Sequence, residues 1–221
     1  MHFQNIEKSV HQILSEIPAH IELVAAAKTR SAEEVRAAVE AGVRIIGYNY
    51  VQEAERIRPH IPYTVGWHMI GHLQRNKARK ALELFDMVET LDSARLAQVM
   101  DKIGAEKDRV IPVLIEVNSG REASKTGVFP EELESLIRNI SSLKNLKVMG
   151  LMTMGPLTGD PESSRPFFRV TRAAFDEVHR LGIPGVEMRY LSMGMSDSYR
   201  IAIEEGANMI RIGTKLFGPR E

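Results

Sequence analysis

The residue whose type and setting best suit covalent chemistry is Lys28, which directly follows the apolar run LVAAA. Such a run predicts a buried strand, so we expect the lysine at a strand end, where its amine is partly desolvated. Desolvation makes the neutral amine more available, and a neutral lysine amine condenses with aldehydes to form an imine. The alternative for any single lysine is a solvated side chain or an ion pair with a carboxylate.

Two turns rich in small residues suit an anion near the C-terminal end of the chain. The segment SMGMS (192–196) puts Ser196 where it would cap the next helix, so that backbone N–H groups at the helix start face a ligand. The segment RIGT (211–214) supplies a second such turn with Gly213 and Thr214. Two adjacent turns agree with one bound phosphate. Ordinary helix capping without a ligand is the alternative for Ser196.

An imine-forming lysine beside a phosphate site indicates pyridoxal 5′-phosphate (PLP), which carries both an aldehyde and a phosphate. Arg211 lies two residues before Gly213, and we expect it to point inward. An arginine that donates to the pyridine nitrogen of PLP keeps that nitrogen unprotonated, because a guanidinium neither accepts nor yields a proton at neutral pH. The cofactor would then be a weaker electron sink. A salt bridge between strands is the alternative role of Arg211.

Two histidines, His68 and His72, lie four residues apart in the segment WHMIGHLQ. On a helix this spacing can bind a metal. This segment is predicted to be a strand followed by a turn, and it offers no third ligand, so we expect packing and hydrogen bonds instead.

To bring these side chains together, the fold must place the ends of many strands on the same side of the sheet. After an amphipathic helix at 3–17, short apolar runs alternate with helical stretches. The strand candidates are 21–28, 44–48, 63–71, 86–91, 109–118, 147–154, 187–193 and 208–214. The helix candidates between them are 31–42, 50–58, 74–84, 93–104, 130–142, 162–182 and 197–206. This alternation predicts a single (β/α)8 TIM barrel with an extra N-terminal helix, over residues 1–221 as one domain.

A doubly wound open sheet is the alternative fold, but the chain has no GxGxxG or GxxxxGK[ST] motif after a first strand. In a barrel the functional side chains lie at the C-terminal ends of the strands. That rule brings Lys28, Asn49, Ser192 and Arg211 to one rim.

The composition narrows the classes of partner. Lysine and arginine number 29, aspartate and glutamate also 29, so the formal net charge is zero and neither nucleic acid nor an anionic membrane is an expected partner. There is no cysteine, which excludes disulfides and thiolate chemistry and is compatible with a reducing cytoplasm. The N-terminal segment has acidic residues and no long apolar run, so we expect neither a signal peptide nor a membrane span, and we predict a cytoplasmic protein.

Eight motifs occur in one order along essentially the whole chain: LVAAAKT, GYNYVQE, WHMIGHLQRNK, LDS, EVNSGREASKTG, GLMTM, LSMGMSD and MIRIGTKLFG. In these motifs the chain resembles the PLP homeostasis protein family, the YggS/PROSC group, whose barrel is similar to the N-terminal domain of alanine racemase. The resemblance implies a monomer that carries PLP without robust turnover, with PLP-accepting apoenzymes as partners. It implies a Schiff base on Lys28. The other cofactor-binding residues that it implies are Asn49, Ser192, Ser196, Arg211, Gly213 and Thr214.

Four positions depart from the family pattern, namely Ala27, Tyr48, Gly66 and Ser119. We hypothesise that three of them, Ala27, Tyr48 and Ser119, reshape the pocket around the lysine, by engineering or by divergence. The alternative function is then a barrel enzyme that uses Lys28, either as a PLP-dependent racemase or lyase or as a cofactor-free lysine aldolase. A scaffold with an inert lysine is a third reading. The two phosphate turns favour PLP over an aldolase, and we expect the second domain of an efficient racemase to be missing.

Overall fold

The computed structural model describes residues 2–62, 64–123, 125–156 and 160–219. Eight parallel strands close into a barrel in chain order, the last pairing with the first. The strands are β1 Glu22–Ala26, β2 Ile45–Tyr48, β3 Gly66–Met69, β4 Met87–Leu91, β5 Ile111–Glu116, β6 Leu146–Met152, β7 Val186–Ser192 and β8 Met209–Ile212. The helices are α1 His2–Glu16, α2 Ala32–Glu40, α3 Val51–Ile57, α4 Ala78–Leu84, α5 Ala94–Glu106, α6 Leu133–Ile140, α7 Arg165–Leu181, α8 Tyr199–Glu204 and α9 Thr214–Phe217. Short 3-10 turns lie at Arg58–His60, Arg75–Lys77, Pro130–Glu132 and Pro161–Ser164.

This architecture confirms the predicted (β/α)8 barrel with an extra N-terminal helix, and each strand candidate overlaps a strand, with boundaries that differ by up to a few residues. One of these differences concerns the site. The eighth candidate ran to Thr214, but β8 ends at Ile212, because Gly213 turns the chain and Thr214 begins α9. Tyr63, the first residue of the third candidate, lies outside the described residues.

The buried apolar residues form two layers, one inside the barrel and one between the strands and the helices. The inner layer consists of residues from the strands and their ends: Val24, Ile70, Met87, Leu114, Met149, Met152 and Met209. The outer layer joins alternate strand residues, such as Ala25, Ile46 and Trp67, to the buried faces of the helices. Because successive side chains of a strand point to opposite faces, the layer that a strand residue joins follows from its parity, except in β6, where a register shift near Gly150 places both Met149 and Met152 in the inner layer.

Local sequence signals set the helix ends. Ser31 caps α2 and forms the predicted capping box with Glu34, and Gly42 follows the helix with φ +120°, a conformation that a side chain would strain. The helix α1 packs against α2 and α9. In the described part of the chain, no helix combines the length and apolar character needed to cross a bilayer.

Candidate functional site

Lys28 lies two residues beyond the end of β1 and is partly exposed. Its parity matches Val24 of the inner layer, so its side chain leaves the strand on the face that lines the barrel interior. The Nζ atom lies 5.0 Å from the centre of the Tyr50 ring. No carboxylate within the described ranges pairs with Lys28, so the ion-pair alternative has no support there.

The turn after Lys28 is strained. The N–H of Arg30 donates to the carbonyl oxygen of Ala27 at 3.0 Å, and Thr29 between them has φ +67°. A β-branched residue rarely adopts that left-handed conformation, and such outliers persist only where the surrounding structure holds them. Lys28 is therefore held in a tight turn at the mouth of the barrel.

Asn49 directly follows β2, the strand that pairs with β1. The last pairs between these strands are Val24–Ile45, Ala25–Ile46 and Ala26–Gly47, and this register, continued past the strand ends, would set Lys28 opposite Asn49. Gly71, just after β3, packs on the backbone of Asn49: a Cβ at this glycine would lie 2.6 Å from the Asn49 Cα. The backbone of Asn49 is therefore closely packed against the chain after β3.

The loops after β7 and β8 meet at Ser196, whose Oγ accepts hydrogen bonds from the backbone N–H groups of Gly213 (3.3 Å) and Lys215 (3.2 Å). Two N–H groups thus converge on one oxygen atom at the start of α9. Thr214 lies between them and is exposed. An acceptor oxygen of an anion suits this position, because backbone N–H groups at a turn are ready donors for phosphate.

The predicted capping role of Ser196 was wrong. The helix α8 begins only at Tyr199 with Ser198 as its N-cap residue, and the Ser198 Oγ accepts from the backbone N–H of Met195 at 3.3 Å. Ser196 lies three residues before the helix, and its hydroxyl is occupied by the loop after β8. The two small-residue turns nevertheless join into one feature, as the sequence indicated.

Arg211 lies inside the barrel and is 4% exposed. Its Nη1 donates to the Ser192 Oγ at 2.5 Å, and its Nη2 donates to the carbonyl oxygen of Thr153 at 2.7 Å. A guanidinium has five N–H donors. Since two have partners among the described residues, donors remain for a ligand above it.

Ser192 connects Arg211 to a second buried pair, Glu89 and His68. The Ser192 hydroxyl donates to Glu89 Oε2 at 2.7 Å, and Glu89 Oε1 lies 2.7 Å from His68 Nδ1. Glu89 and Ser192 are both 0% exposed, and Arg211 Nη1 is 3.9 Å from the Glu89 carboxylate. Ser192 is therefore a bridge between a buried anion and a buried cation. The salt bridge that we considered for Arg211 exists, and its partner is Glu89.

The two carboxyl groups near Arg211, those of Glu89 and Glu116, have pKa values shifted in opposite directions. Burial acts to raise the pKa of Glu89, but the hydrogen bond and charge of His68, together with the charge of Arg211, hold it below its ordinary value. Burial raises the pKa of Glu116 at the end of β5, and Thr126 provides its hydrogen bond, to Oε1 at 2.9 Å. The Glu116 Oε2 is buried without a partner in the described part of the chain. Glu89 thus carries the charge that balances Arg211.

The hypothesis of a reshaped pocket fails at two of its three positions, and the fourth departure, Gly66, lies far from the site. Ala27 and Tyr48 are both 0% exposed and belong to the outer layer, so they point away from the Lys28 side of the strands. Gly66 is the first residue of β3, at the opposite end of the barrel. Only Ser119 lies near the site, where its Oγ is 3.0 Å from the Thr153 Oγ1.

Each histidine of the WHMIGHLQ segment has a carboxylate neighbour. His68 pairs with Glu89, and the His72 Nδ1 is 3.1 Å from Asp92 Oδ2. Among the residues that the structure describes, no three histidine, aspartate or glutamate side chains are grouped so that they could hold a metal. A cleft of about 350 Å³ includes Tyr50, whose ring lies 5.0 Å from the Lys28 Nζ, and is lined by Asn49, Tyr50, Val51, Gln52, Met69, Gly71, His72, Leu73, Gln74 and Lys77.

Glu89 is the residue that the sequence reasoning missed. The signal was available, since a glutamate stands in the middle of MVETL, a strand whose five residues are all buried. A charged residue in such a strand needs a buried partner. The partners lie 21, 103 and 122 positions away in the chain, at His68, Ser192 and Arg211, and no local pattern identifies them.

Comparison with known proteins shows a consistent group of relatives. The family model described as "Alanine racemase, N-terminal domain" matches residues 2–221. The pyridoxal phosphate homeostasis protein of Aquifex aeolicus is 40% identical over 200 residues, which cover 90% of this chain and 87% of the relative. The protein of the same name from Pasteurella multocida is 35% identical over 223 residues, covering 99% and 94%.

Solved structures give the same grouping. PipY of Synechococcus elongatus PCC7942, solved without PLP, superimposes with a TM-score of 0.91 at 34% identity, covering 96% of this chain and 100% of PipY. The structure of PipY with PLP bound superimposes with a TM-score of 0.88 at 33% identity, with the same coverage.

Proposed function

Because this chain belongs to the pyridoxal phosphate homeostasis protein family, we propose that it binds PLP as a Schiff base on Lys28 and acts in PLP homeostasis without robust turnover. The observation that carries the proposal is the coincidence, on one rim, of a lysine with no carboxylate partner in the described ranges and a pair of joined turns that present backbone N–H groups.

The residues on the rim fit each part of PLP. Lys28 supplies the amine for the aldehyde. Ser196, Gly213 and Thr214 would hold the phosphate, since the Ser196 Oγ already marks a point where two N–H groups converge. Arg211 would face the pyridine nitrogen with its remaining N–H donors, and Asn49 would lie beside the ring. When bound, PLP supplies an electrophilic aldehyde that reacts reversibly with amines.

Ser192 has a different role in this proposal from the one first considered. Its hydroxyl accepts from Arg211 and donates to Glu89, and the side chain is fully buried. It therefore supports the residue that would face the ring, while the phosphate belongs to the Ser196 turn.

A monomeric carrier that delivers PLP to PLP-accepting apoenzymes in the cytoplasm is the physiological form of the proposal. A reversible bond to a single lysine suits a carrier, because it keeps a reactive aldehyde at low free concentration and releases it when a tighter acceptor is present. The absence of cysteine from the sequence agrees with a cytoplasmic location.

The test is to mix the purified protein with PLP, reduce the complex with borohydride and map the modified peptide by mass spectrometry. We expect the reduced adduct on Lys28 and its loss in Lys28→Ala, with an unchanged circular dichroism spectrum. Lys77→Ala is the matched control, because Lys77 lines the neighbouring cleft, and it should keep the adduct. An adduct that persists in Lys28→Ala, or a folded protein that forms none, refutes the proposal.

A further inference from the structure

A continuous chain of hydrogen bonds with a fixed direction runs through the interior of the barrel. Arg211 donates to Ser192, Ser192 donates to Glu89, and the same carboxylate faces the Nδ1 of His68. The Ser192 oxygen accepts from a guanidinium, which has only donors, so its own proton is committed to Glu89. Glu89 is thus an acceptor for both of its neighbours, and His68 presents N–H at Nδ1.

All four side chains of this chain are withdrawn from solvent. His68 is 7% exposed and Arg211 4%, and Glu89 and Ser192 are both fully buried. In such surroundings water cannot replace a lost partner, so each member depends on the next. Replacing Glu89 by glutamine would leave Arg211 without its buried counter-charge, and the single amide oxygen of the glutamine could accept from only one of Ser192 and His68.

From this arrangement we propose that Glu89 is a positioning residue of the site: through Ser192 it fixes the guanidinium of Arg211 in the orientation that receives the ligand ring. This inference rests on the proposed PLP function. Glu89 does not touch the ligand. Its action passes through two hydrogen bonds of 2.7 and 2.5 Å, and the Nη2 bond to Thr153 at 2.7 Å completes the clamp on Arg211.

The strand register places members of this chain relative to Lys28. Arg211 pairs in register with Val24, four residues before Lys28 on the same face of β1. Ser192 pairs with Met209, two residues before Arg211 on β8, and with Met152 of β6. His68 pairs with Gly47, which pairs with Ala26, two residues before Lys28, so His68 is nearer to Lys28 in register than Arg211.

The key variants are Glu89→Gln, which keeps the shape but removes the charge, and Ser192→Ala, which removes the bridge. In both we expect PLP to bind about tenfold more weakly or worse, the loss that follows when a hydrogen bond to a charged group is removed. We also expect a changed absorbance band of the lysine-bound cofactor, because the ring would no longer face a fixed guanidinium. Ser192→Thr keeps the hydroxyl and should restore both properties relative to Ser192→Ala.

Glu187→Gln is the matched control, since Glu187 is also a barrel-strand glutamate but pairs with Lys147 at the surface. It should bind PLP with unchanged affinity and an unchanged band. A second readout needs no cofactor: in the ligand-free protein, the side-chain ¹⁵N–¹H signals of Arg211 should show restricted rotation that Glu89→Gln and Ser192→Ala release. Because this readout needs no PLP, it tests the role of Glu89 independently of the proposed PLP binding.

Unchanged affinity, unchanged absorbance and a still immobile Arg211 in both variants would overturn the inference. If Glu89→Gln does not fold, the comparison of Ser192→Ala with Ser192→Thr decides alone. If the unmodified protein forms no Lys28 adduct, the proposed function has failed, and the Arg211 signals still show whether Glu89 fixes the guanidinium.

Discussion

Tyr48 stacks on Trp67 on the outer face of the barrel, with the ring centres 5.9 Å apart and the ring planes inclined by 7°. The Tyr48 hydroxyl is buried there, and no partner for it is found in the described part of the chain. Burial raises the pKa of Tyr48, since an ionised phenol would be costly in this position. The ring contributes packing, and the hydroxyl contributes an unsatisfied polar group.

We therefore expect Tyr48→Phe to leave the free energy of unfolding unchanged or to raise it by up to about 1 kcal/mol, because the change removes a buried polar atom without a partner. Urea unfolding measures this. PLP binding should be unaffected, because the ring faces the helices. Tyr199→Phe is the contrasting control, since the Tyr199 hydroxyl donates to Glu16 at 2.5 Å and its removal should destabilise the protein. A clear loss of stability in Tyr48→Phe would show that its hydroxyl has a partner.

The position of Tyr48 also shows how much of the site could be predicted from the sequence. Lys28 and Asn49 were expected at the mouth together with their chain neighbours Ala27 and Tyr48. Adjacent residues of a strand point to opposite faces, so both members of such a pair cannot line one pocket. Parity along each strand was enough to reject Ala27 and Tyr48 as pocket residues, whereas the alternation of apolar runs was enough to predict the barrel.

Other features of the site depend on contacts between distant parts of the chain. Ser196 has the residue type and spacing of a helix cap, yet its hydroxyl is bound by the N–H groups of Gly213 and Lys215. Glu89 is satisfied by side chains from three other strands or strand ends. Such partners are chosen by strand register and barrel closure, which no local pattern of one sequence contains.

Gly71 should not tolerate a side chain. A Cβ there would meet the backbone of Asn49 at 2.6 Å, and neither side can retreat, because the Gly71 carbonyl also accepts from Thr90 Oγ1 at 2.7 Å. We expect Gly71→Ala to lower the free energy of unfolding by about 2 kcal/mol through overpacking, and to weaken PLP binding by displacing Asn49.

Gly66→Ala is the matched control for this prediction, since a Cβ at Gly66 would have its nearest contacts at 3.8 Å. Its effect on stability should stay within about 0.5 kcal/mol. Urea unfolding of both variants and titration with PLP test the pair. Equal stability of the two variants would contradict the close packing of Gly71 on Asn49.

Glu116 should make stability depend on pH. Its pKa in the folded protein is raised above the ordinary value of 4.5 by burial, so the folded state holds the proton more tightly than the unfolded state. The stability that this contributes is fully present below pH 4.5 and is lost as the pH rises through the folded-state pKa. Glu116→Gln imitates the protonated form and removes that decline.

We expect Glu116→Gln to match the unmodified protein at acidic pH and to exceed its free energy of unfolding at neutral pH by on the order of 1 kcal/mol, about 1.4 kcal/mol for each unit of pKa shift. Chemical denaturation between acidic and neutral pH gives the two curves. Glu134→Gln, a surface change on α6, should leave the shape of the curve unaltered. A Glu116→Gln curve parallel to that of the unmodified protein would mean that Glu116 ionises normally.

Ser196→Ala tests the phosphate turn separately from the lysine. The change removes the oxygen on which the N–H groups of Gly213 and Lys215 converge, so the two loops lose their common anchor. We expect about tenfold weaker binding of PLP, the loss that follows from removing one hydrogen bond to a charged group. Pyridoxal, which has the aldehyde but no phosphate, should bind equally well to both proteins. Ser198→Ala is the control, because the Ser198 Oγ accepts from the Met195 N–H within the loop after β7 and has no bond to the loop after β8 among the described residues. If Ser196→Ala weakens PLP and pyridoxal alike, the serine supports the lysine side of the pocket and the phosphate lies elsewhere.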